Sequence, residues 1–163
     1  MEVLIAGIGR LKGGDARSPE AQLITRYAGR AGGMARSVGL KGVRIEDRPE
    51  SRASTIAQRR TEEAETLRQL SQGGHRVALD ENGRDRTSAE WAELIAQTRD
   101  AGAPSLAFLL GGPDGHDPGF LAECDVRLSL GRATWPHLLA RALVTEQVYR
   151  ALTILAGHPY HRA

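Results

Sequence analysis

The chain is short of cysteine and of long apolar runs, and each shortage excludes a class of protein. Cys124 is the one cysteine among 163 residues, which rules out an internal disulfide and a cysteine-based zinc cluster. No apolar run approaches the ~18–20 residues that a membrane span needs. The opening MEVLIAGIG lacks the basic leader and cleavage site of a signal peptide. We therefore expect a cytoplasmic protein that does not span a membrane.

Lysine is also scarce, although the chain carries a net charge of +2. Of the 22 basic residues, only Lys12 and Lys41 are lysine. Arginine offers a flat, bidentate fork for phosphate and stacks on bases, but a GC-rich genome produces the same bias, and both explanations stay open. From residue 126 onward the sequence holds five arginines and one acid, Glu146. This cationic end is compatible with a nucleic-acid surface.

Apolar segments with strand and helix periodicity alternate along the whole chain, and no linker interrupts them. We predict one domain over residues 1–163, since this length supports a single core. The sequence favours strands at 3–8, 43–45, 76–79, 106–110 and 126–130, and helices at 18–38, 55–70, from 87, at 118–124 and from 136. Such a strand–helix alternation predicts an α/β fold with a mostly parallel sheet flanked by helices. Residues 47–54 are predicted to form an exposed connection.

Three glycine-bearing loops follow predicted strands. Gly7 and Gly9 come after the first strand, but the next glycine, Gly13, is one residue too far away for a G-x-G-x-x-G dinucleotide fingerprint, so a plain turn is favoured over a nicotinamide cofactor. The loops 111–115 (GGPDG) and 130–135 (LGRATW) follow the fourth and fifth strands. Ligands bind beyond the carboxyl ends of parallel strands, so these two loops are candidates for opposite walls of one pocket; ordinary turns are the alternative.

The C-terminal thirty residues combine an amphipathic helix with a chemically rich ending, HPYHRA. Glu146 and Arg150 have the spacing of a helix-stabilising ion pair. His158 and His161 are spaced H-x-x-H, but no third ligand accompanies them, so no metal site is predicted. An ending with acid–base, aromatic and cationic side chains is unlike the bland termini of most chains. We therefore predict that this tail is held in place and takes part in chemistry.

Four segments, LLGGPDG, RLSLGRATWPH, ARALVTEQVYRA and HPYHRA, closely resemble the RlmH family of SPOUT-class methyltransferases, which act on ribosomal RNA. The resemblance is strong from residue 77 to 163 and weaker before that. It implies a C-terminal trefoil knot, a homodimer whose active site is completed at or near the interface, and S-adenosylmethionine bound in the knot. The residues onto which the cofactor contacts carry over are Leu79, Gly111, Leu130, Gly131, Arg132, Ala133, Thr134 and Trp135.

The resemblance also implies a reaction, methylation of N3 of a pseudouridine in 23S rRNA within the assembled ribosome. We expect His161 or Tyr160 to perform or relay the removal of the imide proton, because this step needs a base or an anion-stabilising group. Arg162 and Arg141 are expected to hold RNA phosphate or to stabilise the imide anion. The alternative function is a non-catalytic knotted protein that binds RNA or the ribosome.

The final helix also offers a candidate surface for the expected homodimer. Leu139, Leu143 and Tyr149 form an apolar face on this helix. Either the face contacts a second subunit or it packs on the chain's own sheet, and the sequence leaves both open.

Overall fold

A computed structural model describes residues 1–9 and 18–161, and the elements alternate as predicted. The strands are β1 Glu2–Ile8, β2 Gly42–Arg48, β3 His75–Asp85, β4 Ser105–Leu110 and β5 Val126–Ser129. The helices are α1 Pro19–Ala35, followed by a 3₁₀ turn Arg36–Val38, then α2 Ile56–Leu70, α3 Ser88–Asp100, α4 Pro118–Glu123 and α5 His137–Leu155.

The five strands form one sheet in the order β2-β1-β4-β3-β5, and every neighbouring pair is parallel. Side chains of a strand alternate between the two faces, and β1 shows this directly. Val3 and Ile5 face α1, α3 and α5, whereas Leu4 and Ala6 face α2 and α4. The prediction of a mostly parallel sheet flanked by helices is confirmed.

Side-chain caps mark the starts of α2 and α3. The Thr55 hydroxyl accepts the N–H of Gln58 at 3.2 Å and so caps α2. Thr87 and Glu90 form a reciprocal capping box at the start of α3, which satisfies two backbone donors that the first helical turn leaves free. Both caps join residues that are only three positions apart, so the local sequence is enough to form them.

Strand β3 is much longer than its predicted span of residues 76–79. Its first part pairs with β4 and β5, and the register with β5 then shifts between Leu79 and Arg84. The intervening Asp80, Glu81 and Asn82 are poor strand formers, which is why the sequence pattern ends too early. Gly83 allows β3 to approach the backbone of β5 closely, because a Cβ atom at this position would lie 2.7 Å from the backbone N of Leu128.

Helix α5 is the central helix of one sheet face. Val144, Val148 and Leu152 are fully buried, and Ala31 of α1 and Ile95 of α3 belong to the same apolar core. Although α5 spans 19 residues, no helix in the described part of the chain is long and apolar enough to cross a membrane.

Three glycines lie on the exposed side of α1, at Gly29, Gly32 and Gly33. A Cβ atom at each would meet no described residue within 4 Å. Glycine in a helix destabilises it by roughly 0.5–1 kcal/mol relative to alanine. We therefore expect each Gly→Ala variant to raise the free energy of unfolding by about that amount, measured by chemical denaturation.

The matched control for this prediction is Gly7→Ala. A Cβ atom at Gly7 would overlap the Arg141 guanidinium, so this variant is expected to be destabilised. Unchanged or lowered stability in all three α1 variants would contradict the prediction.

Candidate active site

A cavity of about 670 Å³ lies where β4, β3 and β5 reach their carboxyl ends. This is the edge of a parallel sheet at which ligands bind, and the volume is in the range of small-molecule sites. The lining residues include the middle of β3 (Leu79, Asp80, Glu81, Asn82), the glycine loop 111–115, the loop after β5 (Leu130, Ala133, Thr134, Trp135), and Arg60 and His137 on helices.

The side chain of His116 supports the glycine loop from inside. The Nε2 atom of His116 lies 3.1 Å from the backbone N of Gly111 and 3.2 Å from the carbonyl oxygen of Leu109. Burial lowers the pKa of His116, so the ring is neutral at physiological pH. A Cβ atom on Gly111 would come within 3.1 Å of Gly115 and His116, so the loop can fold this tightly only with glycine.

The second loop is shaped by Ser129 and by a glycine at positive φ. The Ser129 hydroxyl accepts the N–H of Gly131 at 3.1 Å and donates to its carbonyl oxygen at 2.9 Å. Gly131 has a φ of 97°, a conformation that residues with a side chain rarely adopt. The Trp135 indole N–H donates to the Leu130 carbonyl at 3.3 Å, yet the side chain stays 40% exposed. The loop therefore presents backbone groups and an aromatic face.

The structure brings most of the predicted cofactor residues together. Leu79, Gly111, Leu130, Ala133, Thr134 and Trp135 line the cavity, whereas Gly131 and Arg132 do not. Gly131, with Leu130 and Trp135, instead lines a smaller hollow of about 420 Å³ on the α3 side of the loop.

Arg141 occupies a place that contradicts its predicted contact with RNA. Its side chain has no exposed surface, and its guanidinium forms an ion pair with Asp47. The same group donates to the Gly9 carbonyl at 2.9 Å and lies 2.8 Å from Nε2 of His137. A guanidinium enclosed in this way cannot reach a phosphate, so we correct its role: Arg141 joins the end of β1 to the start of α5.

This buried network also accounts for the glycines after β1. Gly7 leaves the space that the Arg141 guanidinium fills, and Gly9 has a φ of 105°. Burial, together with the charge of Arg141, lowers the pKa of His137 to about 4. His137 is therefore neutral and accepts a hydrogen bond from the guanidinium. Gly13 lies outside the described residues, but a packing role for Gly7 removes the main support for a dinucleotide site.

The described part of the C-terminal tail, which reaches His161, packs against α5 and α1 and does not line the cavity. Tyr160 donates its hydroxyl to Glu146 at 3.0 Å, and its ring lies 4.7 Å from that of Tyr149, measured between centroids. Burial and hydrogen bonding to Tyr27 and Glu146 raise the pKa of Tyr160. The Nδ1 atom of His161 is buried and has no hydrogen-bond partner among residues 1–9 and 18–161. Arg162 lies outside the described residues.

Two further expectations concern a metal and a partner. Within residues 1–9 and 18–161, no group of three or more His, Cys, Asp or Glu side chains is placed to hold a metal ion.

On the proposed dimer face, Tyr149 is only 6% exposed and contacts Tyr27 and Tyr160 of the same chain. Leu139 and Leu143 remain partly exposed.

The fold and the cavity define an α/β protein with a cavity between two strand-end loops of a parallel sheet. The family model for predicted SPOUT methyltransferases matches residues 1–161. The chain belongs to the SPOUT methyltransferase family, and so is a methyltransferase.

Curated relatives match this chain over its whole length. It is similar to the ribosomal RNA large subunit methyltransferase H of Rhizobium etli, at 45% identity over 99% of each chain. The protein of the same name from Brucella anthropi is 43% identical over all of both chains. Among solved structures, the SpoU methyltransferase AviRb of Streptomyces viridochromogenes in complex with AdoMet matches 92% of this chain and 59% of its own, at 13% identity and a TM-score of 0.38.

Proposed function

We propose that this protein transfers a methyl group from S-adenosylmethionine to N3 of a pseudouridine in 23S rRNA of the assembled ribosome. The observation that carries the proposal is the convergence of the 111–115 and 130–135 loops on one cavity, in a chain 43–45% identical to ribosomal RNA methyltransferases. We further propose that the protein is cytoplasmic, that residues 1–163 form one domain, and that its C-terminal segment is knotted.

The residues around the cavity fit a nucleoside-like cationic ligand. Tight glycine turns let a flat group lie against backbone N–H and C=O groups, and Leu79, Leu110 and Leu130 give the cavity an apolar wall. Asp80 and Glu81 place carboxylates on the rim, which favours a positively charged ligand. When bound, S-adenosylmethionine supplies a methyl group carried on a sulfonium sulfur.

In this proposal, each of the tail residues Tyr160, His161 and Arg162 has a separate role. A phenol with a raised pKa stays protonated, so Tyr160 serves as an anchor that holds the tail on α5 through Glu146 and Tyr149. His161 takes the proton from N3 of the base, since a neutral imidazole nitrogen can accept a proton. Arg162 stabilises the anion that forms on the imide, or holds a neighbouring phosphate.

Because Tyr160 and His161 do not line the cavity of their own chain, we propose that a second copy of the chain completes the site. In the homodimer, the tail of one subunit approaches the cavity of its partner. Leu139 and Leu143, partly exposed on α5, are the proposed apolar contacts between subunits. This arrangement also enlarges the cationic surface that one small domain offers to RNA.

The decisive experiment is methyl transfer in vitro. The purified protein is incubated with radiolabelled S-adenosylmethionine and ribosomes from a strain that lacks its gene. We expect label in 23S rRNA, with the methyl group located on a pseudouridine by mass spectrometry. Tight donor binding and ribosome binding without transfer would overturn the proposal in favour of a non-catalytic binding protein.

A further inference from the structure

The first half of α2 contacts both the glycine loop 111–115, which lines the cavity, and the connection at residues 49–54. Arg59 donates to the Asp114 carboxylate at 2.6 Å and to the Ala53 carbonyl at 3.1 Å. Arg60 donates through Nε to the Asp114 carbonyl at 2.7 Å. The helix thereby connects the glycine loop 111–115 with the β2–α2 connection at residues 49–54.

Glu63 lies at the centre of this junction and is 5% exposed. Its Oε1 atom accepts the N–H of Ser51 at 3.0 Å. Its Oε2 atom packs on the glycine loop, because a Cβ atom on Gly112 would lie only 2.6 Å from it. Oε2 is buried and has no donor at full hydrogen-bond geometry within the described part of the chain, although the Gly112 N–H is near enough to lower the pKa of the carboxyl. A buried carboxylate oxygen left in this state is unfavourable, so stability alone does not explain the residue.

We propose that Glu63 is a positioning residue for the methyl-donor cavity: from behind the glycine loop it fixes Gly112 and ties that loop to residues 49–54. A carboxylate attracts N–H groups at both of its oxygens, so it can hold Ser51 and Gly112 at once. An amide can accept at only one end. The inference rests on the proposed donor-binding function of the cavity.

The charges around Glu63 lead to a second expectation, that donor affinity depends on pH. Burial raises the pKa of the Glu63 carboxyl, the N–H groups of Ser51 and Gly112 lower it, and the neighbouring charges of Asp114 and Glu50 raise it further. Arg59 is the cation that faces this group. If the charged carboxylate holds the loop, donor affinity falls as the pH falls through this raised pKa, because the protonated carboxyl behaves like an amide.

The test uses the full chain and Glu63→Gln, with Glu65→Gln as the matched control. Glu65 is exposed on the same helix and contacts only Arg68 and Gln69 among the described residues. Affinity for S-adenosylmethionine is measured by titration calorimetry between pH 5 and 8, and unfolding is followed on the same samples. We expect Glu63→Gln to weaken donor binding about tenfold at pH 7, with a nearly unchanged Tm, and to remove the loss of affinity at low pH.

The outcomes separate this inference from the proposed function. Donor binding by the wild type, with the same affinity and pH dependence in Glu63→Gln, overturns the inference alone. Absence of donor binding by the wild type overturns the proposed function. Gly112→Ala supplies an independent check, since the added methyl group displaces the Glu63 carboxylate and is expected to weaken donor binding as well; wild-type affinity in this variant also counts against the inference.

Discussion

Replacing Arg141 with alanine is expected to lower the free energy of unfolding by about 3–5 kcal/mol, the usual effect of removing one partner of a buried ion pair. The guanidinium is fully buried and bridges Asp47, the Gly9 carbonyl and His137. Without it, the partly buried Asp47 carboxylate and the Gly9 carbonyl lose their partner, and the space that the guanidinium filled is left empty. The measurement is urea denaturation, with methyl-transfer activity as a second readout because His137 lines the cavity.

Arg36→Ala is the matched control for Arg141, because Arg36 is exposed at the end of α1. Its stability should stay within about 0.5 kcal/mol of the wild type. A double-mutant comparison of Gly7 and Arg141 gives a more specific check. Gly7→Ala is expected to destabilise the wild type, because the added methyl group overlaps the Arg141 guanidinium. The same substitution is expected to be tolerated in Arg141→Ala. Additive effects of the two substitutions, or a loss below 1 kcal/mol in Arg141→Ala, would contradict this account.

Deleting residues 160–163 is expected to reduce methyl transfer at least ~100-fold, the range for loss of general acid–base assistance. Donor binding should be retained, since neither Tyr160 nor His161 lines the cavity. A modest loss of stability accompanies the deletion because the Tyr160 ring leaves Tyr149 and the Arg150 guanidinium, whose carbon lies 4.9 Å from the ring centroid.

Removing Ala163 alone is the control for the deletion, because it shortens the chain without loss of a polar side chain. Tyr160→Phe and His161→Asn then separate anchoring from proton transfer. The first keeps the ring contact and loses only the hydrogen bond to Glu146, so it should retain more activity than the second. Full methyl-transfer activity in the deletion variant would contradict the proposed role of the tail.

The sequence predicted the elements that depend on local interactions. Most strands and helices lie close to their predicted spans, although β3 continues well beyond residue 79, and the caps at Thr55 and Thr87 act over only a few residues. The two strand-end loops were also predictable, because parallel strands bring their carboxyl ends to one edge of the sheet. Composition and spacing alone could not choose between a ligand site and ordinary turns, and the family resemblance made that choice.

The features that the sequence did not reveal depend on contacts between distant residues. An arginine among leucines at position 141 gives no sign that Asp47 and Gly7 prepare a buried site for it. Glu63 resembles the other acids of α2 until the fold places Gly112 against it. Helix periodicity indicates which face of a helix is apolar, but it does not indicate that a charged residue such as Arg141 is buried.

The parallel register of β1 with β4 has a consequence for synthesis of the chain. Glu2 pairs with Ser105, so the first strand made remains half-paired, with only β2 beside it, until about two-thirds of the protein has left the ribosome. Non-local pairing of this kind slows folding and leaves apolar edges open to aggregation. Nascent chains stalled before residue 105 should therefore be protease-sensitive and should depend on chaperones.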